Sequence, residues 1–219
     1  MQFVDRHHAG RLLAAELLTH TYEQPVVLAL PRGGVPVAYE VADALGAVLD
    51  VLVVRKLGCP WQPELGLGAI TEGGIRLLNH DLIRSSGVSA SEVESVARIE
   101  AAELARRVAS YRGSRSPTPV AGRTAIIVDD GFATGFTARA AAQAVRQLGA
   151  RSVVLAAPVA PATTVNELAN VADNVVCLHA PARFSAIGAF YHDFTQVSDD
   201  DVRSLLATSG ARRPGHNDG

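Results

Sequence analysis

Asp129 and Asp130 stand side by side where an apolar run ends, in "IIVDDGFATGFT" (126–137). Adjacent carboxylates repel each other unless a cation or a hydroxyl-rich group lies between them, so the pair asks for a ligand. Gly131, Ala133, Thr134 and Gly135 follow, small residues that leave backbone N–H groups unobstructed. A helix with the apolar stripe Ala138, Ala141, Val145 and Leu148 comes next, so those N–H groups lie at a helix N-terminus. This is a phosphate cradle, with the Thr134 and Thr137 hydroxyls as further donors. It is not a Walker loop, because the segment has no lysine and no G-K-[ST]. One strand-end Asp often only caps the following helix. Two in a row before a small-residue turn suit a ligand with a phosphate and vicinal hydroxyls, such as a ribose 5-phosphate.

Two other stretches carry candidate anion ligands. In "LPRGGVPVA" (30–38), Gly33 and Gly34 lie between a strand and a helix and let the backbone approach an anion, and Arg32 adds a forked cation. Alone, this stretch is also an ordinary strand-to-helix turn. Arg55 and Lys56 stand at another strand end and open "RKLGCPWQPELG", where Trp61 and Glu64 also lie. A solvated basic pair is the plain alternative.

The elements that must position these residues follow from periodicity. Leucines 12, 13, 17 and 18 mark a first helix within 5–20. "PVVLAL" (25–30) is a buried strand, Ala38, Val41, Ala42 and Leu45 a helix that Gly46 ends, and "VLDVLVV" (48–54) the next strand. All-apolar strands joined through helices predict a parallel sheet covered on both faces. Residues 55–66 show no periodicity and read as a long loop, and 67–78 as a short hairpin around "EGG". A long helix ends at Gly113 and starts with a capping box, Ser91 with Glu94 or Ser89 with Glu92. Strand 124–128, helix 136–148, strand "SVVLAAP", helix 161–170 and strand "NVVCL" complete the alternation. "HAPARFSAIGAFYHDF" is irregular and aromatic, and "SDDDVRSLLA" is a short capped helix.

The 219 residues, 48% hydrophobic and 19% charged, suit one well-packed domain. A net charge of -2 argues against a general nucleic-acid binder, so any anion site must be local. Cys59 and Cys177 give no disulfide framework and no metal-ligand spacing. The first residues lack a signal-like apolar run, and no stretch approaches membrane-span length, which points to the cytoplasm.

The acid-pair segment resembles the PRPP-binding loop of the type I phosphoribosyltransferases: a hydrophobic strand, two acids, two apolar or small residues, then a small-Thr-Gly-x-Thr turn. The order of elements over about 25–178 agrees with that family's core. The whole chain looks like bacterial phosphoribosyltransferase-domain proteins of unassigned acceptor. The resemblance implies a single Rossmann-like α/β domain over 1–208, with a parallel sheet, helices on both faces, a flexible loop and hairpin at about 55–78 and a C-terminal hood at about 179–197. A disordered tail is expected at 209–219.

By that resemblance, Asp129 and Asp130 hold the ribose hydroxyls, and Gly131 with Ala133, Thr134, Gly135, Phe136 and Thr137 holds the 5-phosphate. Arg32, Gly33 and Gly34 form the pyrophosphate loop. Arg55 and Lys56 begin the catalytic loop that closes over PRPP, with Asp129 and Asp130 the other catalytic residues. Glu64, Phe184 and Tyr191 are acceptor candidates, although hood and core packing are equal readings for each aromatic; His192 and Asp193 are polar neighbours that could read an acceptor edge. The expected cofactor is Mg²⁺, held mainly by PRPP and water, with Asp129 and Asp130 as further candidate ligands. Expected partners are PRPP and a small-molecule acceptor, without nucleic acid or membrane, and a homodimer is the candidate assembly. Purine-type relatives for hypoxanthine and guanine carry an acid where Ala133 stands, which argues against that specificity.

The implied activity is Mg²⁺-dependent transfer of phosphoribosyl from PRPP to a nucleobase-like nitrogen. The rival is a non-catalytic sensor of PRPP or a nucleotide on the same fold. A phospho-acceptor receiver domain is rejected, because its acid pair lies near the N-terminus and it needs a late lysine.

Overall fold

The structure, a computed structural model, describes residues 1–211 apart from the side chain of Glu64 and those beyond Ser209. The elements run α1 (Arg6–Leu17), β1 (Val26–Ala29), α2 (Gly34–Leu45), β2 (Val48–Val51), β3 (Val54–Cys59), β4 (Gln62–Thr71) and β5 (Arg76–Leu78). Then come α3 (His80–Ser86), α4 (Ala90–Arg112), β6 (Thr124–Val128), α5 (Phe136–Gln147), β7 (Ser152–Val159), α6 (Ala162–Leu168), β8 (Asn174–His179) and α7 (Asp199–Ala211).

Five strands form a parallel sheet in the order β2-β1-β6-β7-β8. The two-residue period of a strand sends alternate side chains to opposite faces. Val27, Ala29, Ile126 and Val128 pack with α1, α2, α4 and α7. Val26, Leu28, Ala125 and Ile127 pack with α5 and Leu168 of α6. Both faces are covered, and the expected α/β core is the observed one.

The segment 55–66 is not a loop. β3 and β4 pair antiparallel across a turn at Pro60 and Trp61, and β5 adds to β4 around Glu72–Gly74. Two prolines and three glycines obscured a period-two pattern whose inward members are Leu57, Cys59, Leu67 and Ala69, all at most 1% exposed. The strand expected over 48–54 splits as well. After Val51 the chain leaves the parallel sheet, and Val53 C=O accepts from Glu72 N–H at 3.2 Å.

Ser89, not Ser91, caps α4, and its box partner is Glu92. At the other end of α4, buried Arg112 donates from Nε to Asp50 Oδ1 at 3.1 Å and from Nη2 to Val51 C=O at 2.9 Å, and also pairs with Glu72. The excursion from 54 to 112 therefore starts and finishes at the same end of β2. α3 was not anticipated: it buries no residue, and Asn79 Oδ1 caps it by accepting from Leu82 N–H. Of the expected tail, 209–211 continue α7, and 212–219 lie outside the described residues. Among the described residues, no helix is long and apolar enough to cross a membrane.

Candidate functional site

β6 is the middle strand, and Ala29, Val128 and Ala156 are in register across β1, β6 and β7. Chains leaving the carboxyl ends of these strands therefore emerge side by side, where open α/β sheets bind ligands. Asp129 follows β6 and is partly buried, while Asp130 is 7% exposed. Asp130 N–H donates to Asp129 Oδ1 at 2.9 Å. Arg6 Nε donates to Asp130 Oδ2 at 2.8 Å, and Tyr191 O–H donates to Asp130 C=O at 2.7 Å. Burial, and then the neighbouring Asp130 charge, push the Asp129 carboxyl well above the ordinary aspartate range. Burial also raises the Tyr191 phenol, with Asp130 adding to the effect.

The turn after β1 lies directly against this pair. A Cβ on Gly33 would stand 2.1 Å from Asp130 Oδ2, and one on Gly34 would stand 2.6 Å from Val128 C=O. No side chain fits at either position, so backbone and carboxylate approach as closely as atoms allow. The Pro31–Arg32 peptide is cis. Arg32 is half-buried, and its Nη1 lies 3.7 Å from Asp199 Oδ1 at the start of α7.

The segment after the acid pair is held at both ends. Phe132 N–H donates to Val159 C=O at 2.9 Å, and its ring is 2% exposed in the core beneath. Ala133 C=O accepts from Thr164 Oγ1 at 2.9 Å. Gly135 takes φ 67°, a conformation that glycine adopts without a side-chain penalty, and becomes the N-cap of α5. Ala133, Thr134 and Thr137 are exposed at that N-terminus, a geometry suited to an anion. Phe136 turns toward the hairpin, its ring 3.4 Å from where a Gly66 Cβ would be.

The hairpin residues are placed differently from one another. Arg55 forms an ion pair with Glu100 of α4, with Nε and Nη2 each 2.6 Å from Oε2. Lys56 is exposed, and its Cε lies against Gly66, close to Phe136. Glu64 lies on β4. Trp61 sits in the tip turn and is 58% exposed.

The segment 180–197 lies over the acid pair. A Cβ on Gly131 would meet Ile187 Cγ2 at 2.8 Å. Tyr191 is 5% exposed, with ring centroids of Phe3 and Phe194 at 5.4 and 5.1 Å, so its ring is enclosed by packing rather than open to an acceptor. Phe184 stacks on Phe190 at 5.5 Å and is half-buried. Asp193 accepts from Thr195 and is tied up locally, and His192 is exposed.

The fold thus brings together Gly33, Gly34, Asp129, Asp130 and Gly131, with Phe136 touching the hairpin that bears Lys56. It turns Arg55 toward α4. Arg6 is the site neighbour that the sequence reading missed; "VDRHH" at the start of a helix has nothing to distinguish its arginine from a solvated one.

Among the described residues no group of three or more His, Cys, Asp or Glu side chains could hold a metal by itself. The site offers two carboxylates, which suits Mg²⁺: that ion takes one or two protein carboxylates and fills the remaining positions with substrate oxygens and water.

Residues 4–195 match the family described as Phosphoribosyl transferase domain. A Mycobacterium tuberculosis protein, Rv0571c, provisionally named a phosphoribosyl transferase, is 53% identical over 204 residues, covering 93% of this chain and 46% of its own length. The chain thus spans about half the length of the curated relatives it matches. TT1426 from Thermus thermophilus is 46% identical and superposes with a TM-score of 0.86 over 95% of this chain and 99% of that one. The AQ2163 protein from Aquifex aeolicus, 11% identical with a TM-score of 0.50 over 92% of this chain and 84% of its own, shares the fold alone.

Proposed function

Because this chain belongs to the phosphoribosyltransferase-domain family, we propose that it binds PRPP and transfers its phosphoribosyl group to a nucleobase-like nitrogen acceptor, releasing pyrophosphate. The observation that carries this reading is the contact of the two loops: Gly33 lies so close to Asp130 that a Cβ would stand 2.1 Å from Oδ2. A ligand with its 5-phosphate on 133–137 and its hydroxyls at the acid pair then has its leaving pyrophosphate at Arg32–Gly34.

In the reaction the bond from C1 to the pyrophosphate oxygen breaks, and a nitrogen lone pair forms the new bond to C1 from the opposite face. The chain's part is positioning and charge stabilisation. The α5 N-terminus fixes the phosphate end. Arg32, Lys56 and the Gly33–Gly34 backbone stabilise charge building on the leaving group. Arg55 joins them once it releases Glu100. Mg²⁺, held by PRPP oxygens and water with the acid pair nearby, would neutralise pyrophosphate charge. A cytoplasmic location and a homodimeric assembly belong to the same reading.

The test is calorimetric titration of PRPP with Mg²⁺, using Asp129→Asn as control, followed by assay of pyrophosphate release across nucleobases. Binding by the wild type alone supports the reading, and no binding overturns it. The Arg55–Glu100 pair favours the second reading, a non-catalytic PRPP or nucleotide sensor; binding without pyrophosphate release for any base would select it.

A further inference from the structure

Arg55, Ile70 and Arg76 stand opposite one another across β3, β4 and β5. Residues paired in this way project to one face of a sheet, and the next row, Lys56, Ala69 and Leu77, projects to the other. The first face lies on α4. Ile70 packs in the core with Ala97 and Leu104, Arg55 reaches Glu100, and Arg76 donates from Nη2 to Glu94 Oε1 at 3.2 Å. The second face meets α5, where Ala69 and Leu77 line a cleft with Phe136 and Ala140. Two adjacent cations are therefore sent to opposite sides, Lys56 toward Phe136 at the start of α5 and Arg55 toward α4.

The two ion pairs on the α4 face are unlike. Glu94 is exposed, and its bond to Arg76 is of the solvated kind that contributes little. Glu100 stands where the helical period asks for an apolar residue, between Ala97 and Leu104 on the buried stripe. Arg55 Nε and Nη2 both lie 2.6 Å from its Oε2, with the two side chains 27% and 21% exposed. At such a place desolvation offsets much of the attraction between the charges, and two apolar residues would join sheet to helix as well. Tethering alone therefore leaves the charges unexplained. A guanidinium fork fits carboxylate and phosphate alike, so Glu100 takes from Arg55 the N–H groups that a phosphate would use.

We propose that Glu100 is a positioning residue that acts through Arg55. Its carboxylate occupies the Arg55 fork in the ligand-free protein, PRPP displaces it, and it takes Arg55 back as pyrophosphate leaves. This rests on the PRPP reading given above. Glu100 touches no substrate atom; it is an internal competitor of the pyrophosphate group. Removing the competitor strengthens binding of PRPP and of pyrophosphate, whereas loss of a merely structural contact gives no gain.

The test is calorimetric titration of PRPP and of pyrophosphate, each with Mg²⁺, into the full chain and four variants whose folding is checked by thermal melting. The variants are Glu100→Gln, Glu94→Gln, Arg55→Met and Arg55→Met with Glu100→Gln. Glu100→Gln is expected to bind both ligands more tightly by about threefold or more. Glu94→Gln makes the same change of charge on the same helix and is expected to leave both affinities unchanged. The gain is expected to vanish without Arg55, so that Arg55→Met and the double variant bind alike. No gain in Glu100→Gln overturns the proposal. So does an equal gain in Glu94→Gln, which would be an effect of net charge, or a gain that persists without Arg55.

A measurement on the wild type decides the matter even where a variant does not fold. The Arg55 Nε–H resonance is expected to shift on saturation with PRPP and Mg²⁺, while that of Arg76 stays in place. An Arg55 resonance unmoved at saturation would mean that Glu100 keeps its partner, against the proposal. Absence of any PRPP binding by the wild type would overturn the function reading and this one together, whereas binding with Arg55 still on Glu100 overturns only this one.

Discussion

Arg6 Nε lies 2.8 Å from Asp130 Oδ2 although 124 positions separate the two residues in sequence. The first helix and the acid pair of the middle strand are thus joined through one buried contact. Beside it, Phe3, Val159 and Tyr191 form a small apolar cluster, and the Tyr191 O–H donates to Asp130 C=O. The energetic character of the site follows from this enclosure, and the first prediction concerns its less compensated member.

Asp129→Asn is expected to raise the melting temperature of the ligand-free protein at neutral pH. The carboxyl is held above its ordinary value, so the folded state binds its proton more tightly than the unfolded state does. The favourable contribution is then present below the ordinary value of 3.8 and lost as pH rises through the folded-state value, which leaves the charged form a cost at neutrality. Melting curves of the two proteins should differ most at neutral pH and converge below 3.8. A lower melting temperature for Asp129→Asn at neutral pH would contradict the assignment.

Gly33→Ala is expected to destabilise the fold by ~1–3 kcal/mol, because the added methyl overpacks against the Asp130 carboxylate. Denaturant unfolding reads that loss, and titration should show weaker PRPP binding as the two loops are pushed apart. Wild-type stability and affinity would mean that the loops are not in contact.

Arg112→Met leaves Asp50 buried beside Glu72 without their cation and should cost ~3–5 kcal/mol. Hydrogen exchange should accelerate first in β3, β4 and β5, because Glu72 is their tie to β2, while β1, β6 and β7 remain protected. Uniform acceleration across both sheets would argue against a local role.

Trp61 is the only tryptophan and is exposed at the hairpin tip, so emission reports on that tip alone. Saturation with PRPP and Mg²⁺ is expected to shift emission to the blue as the tip closes toward Phe136. An unchanged spectrum with binding established by calorimetry would place the tip outside the ligand's reach.

The parallel core was legible because its strands are nearly pure apolar runs and its helices keep a regular stripe, so period and burial agree. The place of the acid pair and its small-residue turn was legible for a related reason: two charges and a run of small residues end an apolar strand abruptly. The β3–β4 hairpin was not, since glycines and prolines interrupt its alternation and its partner strand lies outside the window that periodicity reads. Arg6 was invisible for a different reason. Its role depends on a tertiary contact with Asp130, and the residues flanking it would look the same on any solvated helix. Tyr191 shows the ambiguity of an aromatic in an irregular segment: its ring is enclosed, and its hydroxyl is spent on the Asp130 carbonyl.

Arg112 brings the two ends of the 54–112 excursion to one point beside Val51. A segment inserted through adjoining ends behaves as a cassette. Its hairpin tip at Pro60 and Trp61 can be lengthened or shortened without shifting the register of the parallel strands that carry the acids, whereas Ala97 and Leu104 of α4 belong to the same core and must stay. Variation at that tip therefore leaves the strand ends bearing Asp129 and Asp130 where they are, and a protein engineer could graft there for the same reason.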